Sequence, residues 1–123
     1  MILIDSCGWI EFFTKGTLSD KYAKYMKEYS RILTPTVVLY EVYKKIKKEQ
    51  DEETAILYVA QLQKTKIAPL TSSISLAAAD FSLKYSLPMA DSIVYATACD
   101  SRCQIVTSDL HFKKLPNVIF LSR

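Results

Sequence analysis

The first thirteen residues, MILIDSCGWIEFF, contain the local pattern on which the fold depends. Residues 1–5 are a short apolar run that ends on an aspartate, and residues 6–13 continue with apolar side chains at helical spacing. This order predicts a buried β-strand that leads directly into a short helix, with Asp5 at the junction. The same order returns near the other end of the chain, where QIVTSD at 104–109 is an apolar strand that ends on Asp109.

Between these two segments, short apolar strands alternate with longer helical patterns. We predict further strands in SRILT, KIAPL and NVIFL. The predicted helices are LSDKYAKYMKEYS with a Ser19 cap, a helix opened by Thr34 and Pro35 that runs to about Gln50, one after the acidic residues 51–53, and two within 71–86 and 88–102. Such alternation predicts an α/β fold with about five mostly parallel strands flanked by helices, and a ligand crevice beyond the carboxyl ends of the strands.

Composition restricts the classes of protein to which this chain can belong. Half of its 123 residues are hydrophobic and 24% are charged, which excludes collagen-like, low-complexity and disordered chains and predicts one compact domain over 1–123. Gly8 and Gly16 are its only glycines. They cannot form the GxGxxG turn of a dinucleotide site or the GxxxxGK loop of a nucleoside triphosphatase, so both functions are excluded.

The net charge of +3 is unevenly distributed, because residues 1–48 hold nine basic and five acidic side chains. This excess is compatible with attraction to a polyanion and is also ordinary for a soluble protein. The longest apolar run is AILYVA at 55–60, and the apolar start lacks the features of an export signal. We therefore expect a cytoplasmic protein without a membrane contact.

Three cysteines, an odd number, argue against a disulfide framework and for a reducing compartment. Cys99 and Cys103 lie four residues apart on a predicted helix, and His111 is the only histidine. Together they suggest a zinc site, but a fourth ligand is missing and the spacing is poor. We do not expect zinc there.

Four acidic residues occupy positions where a carboxylate is locally unusual or faces the predicted crevice. Asp5 and Asp109 end strands, Asp91 lies in the first turn of a predicted helix, and Glu41 is embedded in the apolar stretch VVLYEVY. The three aspartates could instead cap helices or complement a helix dipole. Glu41 has no comparable structural role, because a surface glutamate is expected among polar neighbours. We expect the four to converge on one site.

Convergent carboxylates require protons or a cation to offset their repulsion. Two carboxylates about 5 Å apart repel each other by about 3 kcal/mol at an effective dielectric constant of about 20. Oxygen ligands with no convergent histidine or cysteine select Mg²⁺ or Mn²⁺ over zinc. Such an ion orients a phosphate, lowers the pKa of a bound water and stabilises charge that develops on a phosphodiester. The predicted substrate is therefore a nucleic acid.

These residues, in this order and spacing, resemble the PIN domain nucleases and, among them, the small VapC-like toxins of prokaryotic toxin–antitoxin pairs. The resemblance covers nearly the whole chain. It is carried by the strand that ends in Asp5 and Ser6, by TPTVVLYEV with Glu41, by LPMADSIVYATA with Asp91, and by IVTSDLHF with Thr107 and Asp109. It implies a PIN-like three-layer fold and a metal-dependent endoribonuclease.

The resemblance also implies a role for each of these residues. Asp5, Glu41, Asp91 and Asp109 would hold the metal ion directly or through water, and the hydroxyls of Ser6 and Thr107 would orient a carboxylate or a water. Helix capping and strand propensity are equally good reasons for the two hydroxyl residues. The expected products are a 5′-phosphate and a 3′-hydroxyl. The expected partners are an RNA substrate, a second copy in a homodimer, and an antitoxin with a segment that enters the active-site groove.

Other side chains have weaker functional signals. The lysines that follow Glu41 could contact RNA phosphates, although a solvated helix face is the simpler interpretation. The tyrosines could stack on bases, but their helical spacing favours the core or a dimer surface. Trp9 and His111 are expected to be a packing and a surface residue. These lysines and tyrosines are Lys44, Lys45, Lys47 and Lys48, and Tyr22, Tyr25, Tyr29, Tyr40 and Tyr43.

Two functions from other classes compete with the nuclease. A phosphoacceptor receiver-like regulator would suit the length and the α/β alternation, but it needs a further aspartate at the end of a central strand, and the acids at 51–53 lie between two helices. A non-catalytic module that binds RNA or protein could keep the fold without the chemistry. Loss of one acid would favour that module, and all four acids are present.

Overall fold

The structure is a computed structural model that describes all 123 residues. Its strands are β1 (Ile2–Ile4), β2 (Ile32–Pro35), β3 (Lys66–Ala68), β4 (Gln104–Thr107) and β5 (Val118–Phe120). Its helices are α1 (Ser6–Phe13), α2 (Ser19–Ala23), α3 (Thr36–Glu49), α4 (Glu52–Leu62), α5 (Ser72–Tyr85) and α6 (Met89–Asp100), with short 3-10 turns at Tyr29–Arg31 and Leu110–Phe112. No helix has the length and apolar character needed to cross a membrane.

The five strands form one fully parallel sheet in the order β3-β2-β1-β4-β5. The predicted α/β class and the predicted number of strands are confirmed. Successive strands move in one direction from β1 to β3 and in the other direction from β4 to β5, so right-handed crossovers place α1 to α4 on one face and α5 and α6 on the other. The direction reverses between β1 and β4, which makes their carboxyl ends the expected crevice.

Apolar side chains of the central strands form the middle of the core. Leu3 pairs with Ile105 and Ile4 with Val106, and none of the four is more than 1% exposed. Helix α6 buries every residue from 91 to 98. A helix that is buried all round has to lie inside the protein, so its polar residues are also placed in the interior.

Two predicted helix starts are wrong in detail. Thr34 does not cap α3, because it belongs to β2, is fully buried, and shares a 2.6 Å hydrogen bond with the Thr65 hydroxyl. Pro35 precedes the helix with an extended backbone. The helix expected in LSDKYAKYMKEYS is also shorter, since α2 ends at Ala23 and Ser19 is its first residue. Packing of Tyr22 and Met26 fixes this segment without further helical turns.

Candidate metal centre and adjacent groove

The candidate site lies where β1 and β4 end side by side. Asp5 follows β1 directly, and its backbone N–H donates to the Val106 carbonyl of β4 at 3.2 Å. Asp109 follows β4 by two residues and opens the 3-10 turn. Because the strands are parallel and adjacent, both aspartates lie at the same edge of the sheet, as the sequence predicts.

Asp5 is held in place by local hydrogen bonds from neighbouring residues. Its carboxylate accepts from the Ser6 backbone N–H at 2.8 Å and from the Thr107 hydroxyl at 3.1 Å, and the Cys7 thiol lies 3.6 Å away. The residue is 2% exposed. Burial raises the pKa of the Asp5 carboxyl, although the hydrogen bonds from Ser6 and Thr107 oppose that change. Asp5 therefore caps α1 and also carries a buried charge that its hydrogen bonds only partly stabilise.

Thr107 connects the two strand-end aspartates. Its hydroxyl donates to Asp5 and accepts from the backbone N–H of Asp109 at 3.0 Å. The Asp109 carboxylate in turn accepts from the backbone N–H of His111 at 2.9 Å and lies 2.8 Å from the ring nitrogen Nδ1 of the same residue. The position of Asp109 is thus fixed on one side by Thr107 and on the other by His111.

Asp91 reaches this edge from the first turn of α6 and is 8% exposed. Its Oδ2 lies 3.2 Å from Nδ1 of His111, and no backbone N–H or hydroxyl of the protein donates to it. Burial, with added repulsion from Asp109 and Asp5, raises the pKa of Asp91 to about 7. The ring of His111 opposes this rise in the pKa of Asp91 and does not cancel it.

Glu41 enters from α3. Val38, Val42 and Ile46 form the buried stripe of this helix, and Glu41 lies one position beside that stripe, half-buried. Burial raises the pKa of Glu41, repulsion from Asp5 adds to the rise, and the nearby Ser6 side chain opposes it. The unusual apolar context of Glu41 in the sequence is explained by this position at the edge of the core.

The structure places the four predicted acids close enough for their charges to interact. Of the four, only Asp91 and Asp109 have potential ligand atoms within 4.8 Å of each other, in a group completed by His111, and Asp5 and Glu41 lie outside that group. The charges of the four act on one another, because Asp5 and Asp109 raise the pKa of both Glu41 and Asp91. No lysine or arginine forms an ion pair with any of the four. Carboxylates that repel one another, two of them buried and none paired with a lysine or arginine, fit a divalent ion, and their oxygens are the ligands that Mg²⁺ and Mn²⁺ take.

His111 is the site residue that sequence analysis missed. Its side chain is about half exposed, as expected for a surface residue, but its ring contacts both Asp91 and Asp109. The premise that no histidine converges on the acids is therefore wrong. The turn offered a signal, because an aspartate that caps a turn two residues earlier brings the two side chains together.

The alternative zinc site is not formed. Cys99 and Cys103 line a cavity before β4, with Gln104 and Asn117, whereas His111 lies beyond the other end of that strand. All three cysteines are free. The only group of three or more potential metal ligands within 4.8 Å of one another consists of Asp91, Asp109 and His111.

Tyr22 contacts residues beside the candidate site, and Gly8 has no side chain that would block the tyrosine ring. The Tyr22 hydroxyl donates to Ser108 at 2.8 Å and lies 3.7 Å from the Cys7 thiol. A Cβ at Gly8 would lie 2.5 Å from the Tyr22 ring, so only glycine allows this approach to α1. Tyr22 is thus a core residue, as its helical spacing predicts, and Trp9 is fully buried as expected.

A groove of about 560 Å³ leads away from Glu41 between α1 and α3. It begins at Ser6, Cys7 and Glu41 and continues past three basic side chains of α3. Lys47 turns to the other side of the helix, where it pairs with Glu52 at 3.1 Å. The three lysines in the groove are Lys44, Lys45 and Lys48.

Solved structures resemble this fold over most of its length. A chain of a toxin–antitoxin complex from Klebsiella pneumoniae superposes with a TM-score of 0.80 at 22% identity, over 97% of this chain and 96% of that one. VapBC2 from Rickettsia felis, bound to a DNA fragment from its promoter, gives 0.78 at 17% identity over 98% of both chains. VapC20 from Mycobacterium tuberculosis, described as a sarcin-ricin loop cleaving toxin, gives 0.73 at 13% identity over 85% of both. At these identities the likeness shows the fold alone.

Sequence comparison identifies the family. A search of curated proteins finds no match to the chain. The sequence model described as the PIN domain, however, matches residues 2–118. Asp5, Glu41, Asp91 and Asp109 all fall within that match. The chain therefore belongs to the PIN domain family.

Proposed function

We propose that this protein is an Mg²⁺- or Mn²⁺-dependent endoribonuclease and the toxin of a toxin–antitoxin pair, with the whole chain acting as one nuclease domain. One observation carries this function: four carboxylates from four separate segments lie near enough to raise one another's pKa at the carboxyl ends of β1 and β4, and no lysine or arginine forms an ion pair with them. Their burial has a cost in free energy that a bound cation would offset.

Each site residue has a distinct task in this function. Asp5, Glu41, Asp91 and Asp109 hold the ion, which when bound lowers the pKa of a water and stabilises charge on the phosphate. Thr107 fixes the orientation of the Asp5 carboxylate by its 3.1 Å hydrogen bond and the position of Asp109 through the backbone N–H of that residue. Ser6 acts on Asp5 through its N–H and on Glu41 through its side chain.

The groove supports RNA as the substrate. Lys44, Lys45 and Lys48 line a groove that starts at Glu41 and also contains Glu11 and Glu49. Lys45 pairs with Glu49 at 3.8 Å, so Lys44 and Lys48 are the cations that a phosphate backbone in this groove would meet. VapC20, with the same fold, is described as cleaving the sarcin-ricin loop.

The assembly that we propose includes an antitoxin and a second copy of this chain in the cytoplasm. The structures of VapBC2 and of the Klebsiella complex both contain a protein of this fold in a toxin–antitoxin assembly. The second copy would cover an apolar surface at the starts of α3 and α6, where Leu70, Met89 and Tyr40 are between 46% and 77% exposed around a cavity of about 510 Å³. Contiguous exposed apolar surface of this kind is typical of an interface.

The homodimer is tested by sedimentation of Met89→Lys, with Leu57→Lys as the matched control. Both are exposed apolar residues, and Leu57 lies on α4 outside the apolar surface. We expect wild type and Leu57→Lys to sediment as dimers and Met89→Lys as a monomer, because a buried lysine opposes association. A monomeric wild type would contradict the second copy.

The nuclease is tested by incubating RNA with the purified protein and Mg²⁺ or Mn²⁺, with and without EDTA. Wild type is compared with Asp5→Asn and Asp91→Asn, and with Asp100→Asn as the matched control, because Asp100 is exposed at the other end of α6. We expect metal-dependent cleavage by wild type and the control only. Cleavage that survives both site substitutions would mean that the site is elsewhere. Intact RNA in every sample would favour the non-catalytic binding module.

A further inference from the structure

The imidazole of His111 is the one nitrogen group among the acids of the candidate site. Its Nδ1 lies 2.8 Å from Oδ1 of Asp109 and 3.2 Å from Oδ2 of Asp91. Two neighbouring ligands of an octahedral ion at about 2.1 Å lie about 3 Å apart. Both distances match that spacing, and the potential ligand atoms of the three residues all lie within 4.8 Å of one another.

The position of His111 does not depend on the ion. Asp109 caps the 3-10 turn Leu110–Phe112, and the backbone N–H of His111 donates to its carboxylate at 2.9 Å. Phe112, the next residue, is fully buried and anchors the turn in the core. The ring is thus held beside the two aspartates by the turn itself.

We propose that Nδ1 of His111 is a ligand of the metal ion, together with Asp91 and Asp109, and that it shifts the preference of the site from Mg²⁺ towards first-row transition ions. This inference rests on the proposed function, since it requires an ion at these acids. Imidazole nitrogen suits transition ions, whereas Mg²⁺ binds mainly through oxygen. A site of oxygens alone would lack this bias.

Ligation by Nδ1 requires the neutral ring with its proton on Nε2. In the structure Nδ1 faces two carboxylate oxygens, and Nε2 has no hydrogen-bond partner in the protein. An ion held by Asp91 and Asp109 would take the Nδ1 lone pair, and the about half-exposed ring leaves its Nε2 side open to water.

The first test measures metal affinity in the absence of RNA. Co²⁺ and Mg²⁺ are titrated calorimetrically into wild type, His111→Gln and, as the matched control, Lys114→Gln, which changes an exposed residue of the following loop. We expect the ratio of Co²⁺ to Mg²⁺ affinity to fall by at least about tenfold in His111→Gln and to stay unchanged in the control. An equal ratio in wild type and His111→Gln would overturn the inference.

The second test detects the nitrogen directly. Because His111 is the only histidine, a ¹⁴N coupling of imidazole type in pulsed EPR of the Mn²⁺ complex can come from no other side chain of this kind. We expect the coupling in wild type and its loss in His111→Gln. Bound Mn²⁺ without the coupling, or no bound Mn²⁺ at all, would overturn the inference.

The two proposals fail in different ways. If wild type cleaves RNA with Mg²⁺ while the nitrogen coupling is absent, the nuclease stands and the ligand role of His111 is wrong. If the coupling is present while RNA stays intact under every condition, His111 is a ligand and the nuclease is wrong.

Discussion

The middle and the carboxyl ends of β1 and β4 follow opposite physical rules. In the middle, Leu3, Ile4, Ile105 and Val106 are almost fully buried and apolar. A few ångströms further along the same two strands, Asp5 is just as buried and ionisable, and Asp109 and Asp91 lie beside it. The first region lowers the free energy of the folded state, whereas the second raises it in the absence of a cation.

This contrast shows where the protein gives up stability for a site. An apolar side chain at the carboxyl ends would be better for folding, because a buried carboxylate without a cation is unfavourable. The acids are instead held in place by Ser6, Thr107 and the 3-10 turn. A region whose burial lowers the stability of the fold, and whose side chains are nevertheless ordered by hydrogen bonds, is typical of a functional site.

The largest expected effect comes from a substitution that changes only the acidic site at the carboxyl ends of the strands. Glu41→Gln should reduce metal-dependent RNA cleavage by at least about 100-fold, because it removes a charge that holds the ion and leaves the shape of the side chain intact. Its melting temperature in EDTA should not fall, since the lost charge is unfavourable without an ion. Initial rates and thermal melts measure both effects. Glu53→Gln on α4, which is exposed, is the control, and equal rates for the two variants would remove Glu41 from the site.

The next largest effect comes from a substitution in the apolar middle of the strands. Ile105→Ala should lower the free energy of unfolding by about 2 to 5 kcal/mol, because it leaves a cavity beside Leu3 in a fully packed core. Urea denaturation measures this loss. Cleavage per folded molecule should stay close to wild type. A large loss of cleavage in the folded fraction would show that the two regions are not independent.

A smaller effect concerns pH and sharpens the contrast at the carboxyl ends. The raised pKa values of Asp5, Glu41 and Asp91 mean that the folded protein retains protons that the unfolded chain releases. Without metal, the stability from this source is complete below about pH 4 and is lost as pH rises to about 7, the pKa of Asp91. Asp91→Asn should therefore melt about 5 °C above wild type at neutral pH in EDTA.

The same melts, repeated near pH 4 and with Mg²⁺, provide the controls for this prediction. Near pH 4 the wild type is protonated at these acids, so the difference between wild type and Asp91→Asn should nearly vanish. Mg²⁺ should raise the melting temperature of wild type at pH 7 by mass action and leave that of the variant almost unchanged. A wild type that gains stability between pH 4 and pH 7 in EDTA, relative to Asp91→Asn, would contradict these pKa shifts.

The smallest effect concerns the groove. In an Asp5→Asn background, Lys48→Ala should weaken binding of single-stranded RNA and reduce the slope of log affinity against log salt by about 0.7, as expected for one lost phosphate contact. Lys47→Ala is the matched control, because Lys47 lies on the same helix and pairs with Glu52 outside the groove. Fluorescence anisotropy over a range of salt concentrations measures both slopes. Equal slopes for Lys47→Ala and Lys48→Ala would place the RNA elsewhere.

The sequence by itself predicted the elements and the acids. Short apolar runs, each followed by a helical period, are local signals, and they located all five strands and the parallel sheet. Asp5 and Asp109 could be placed because they end two of these strands, and Glu41 because its apolar neighbours are incompatible with an ordinary surface position. Each of these inferences uses only residues that lie close to one another in the sequence.

Tertiary structure decided what those local signals could not contain. Thr34 reads as a helix cap, yet its pairing with Thr65, thirty-one residues away, keeps it in a buried strand. Whether Lys47 or Lys48 faces the groove depends on where α1 and α4 pack against α3. The ring of His111 reaches Asp91 only because the reversal of strand order between β1 and β4 brings α6 to the turn after β4. Such contacts arise between distant segments, and local sequence preferences do not fix distances between them.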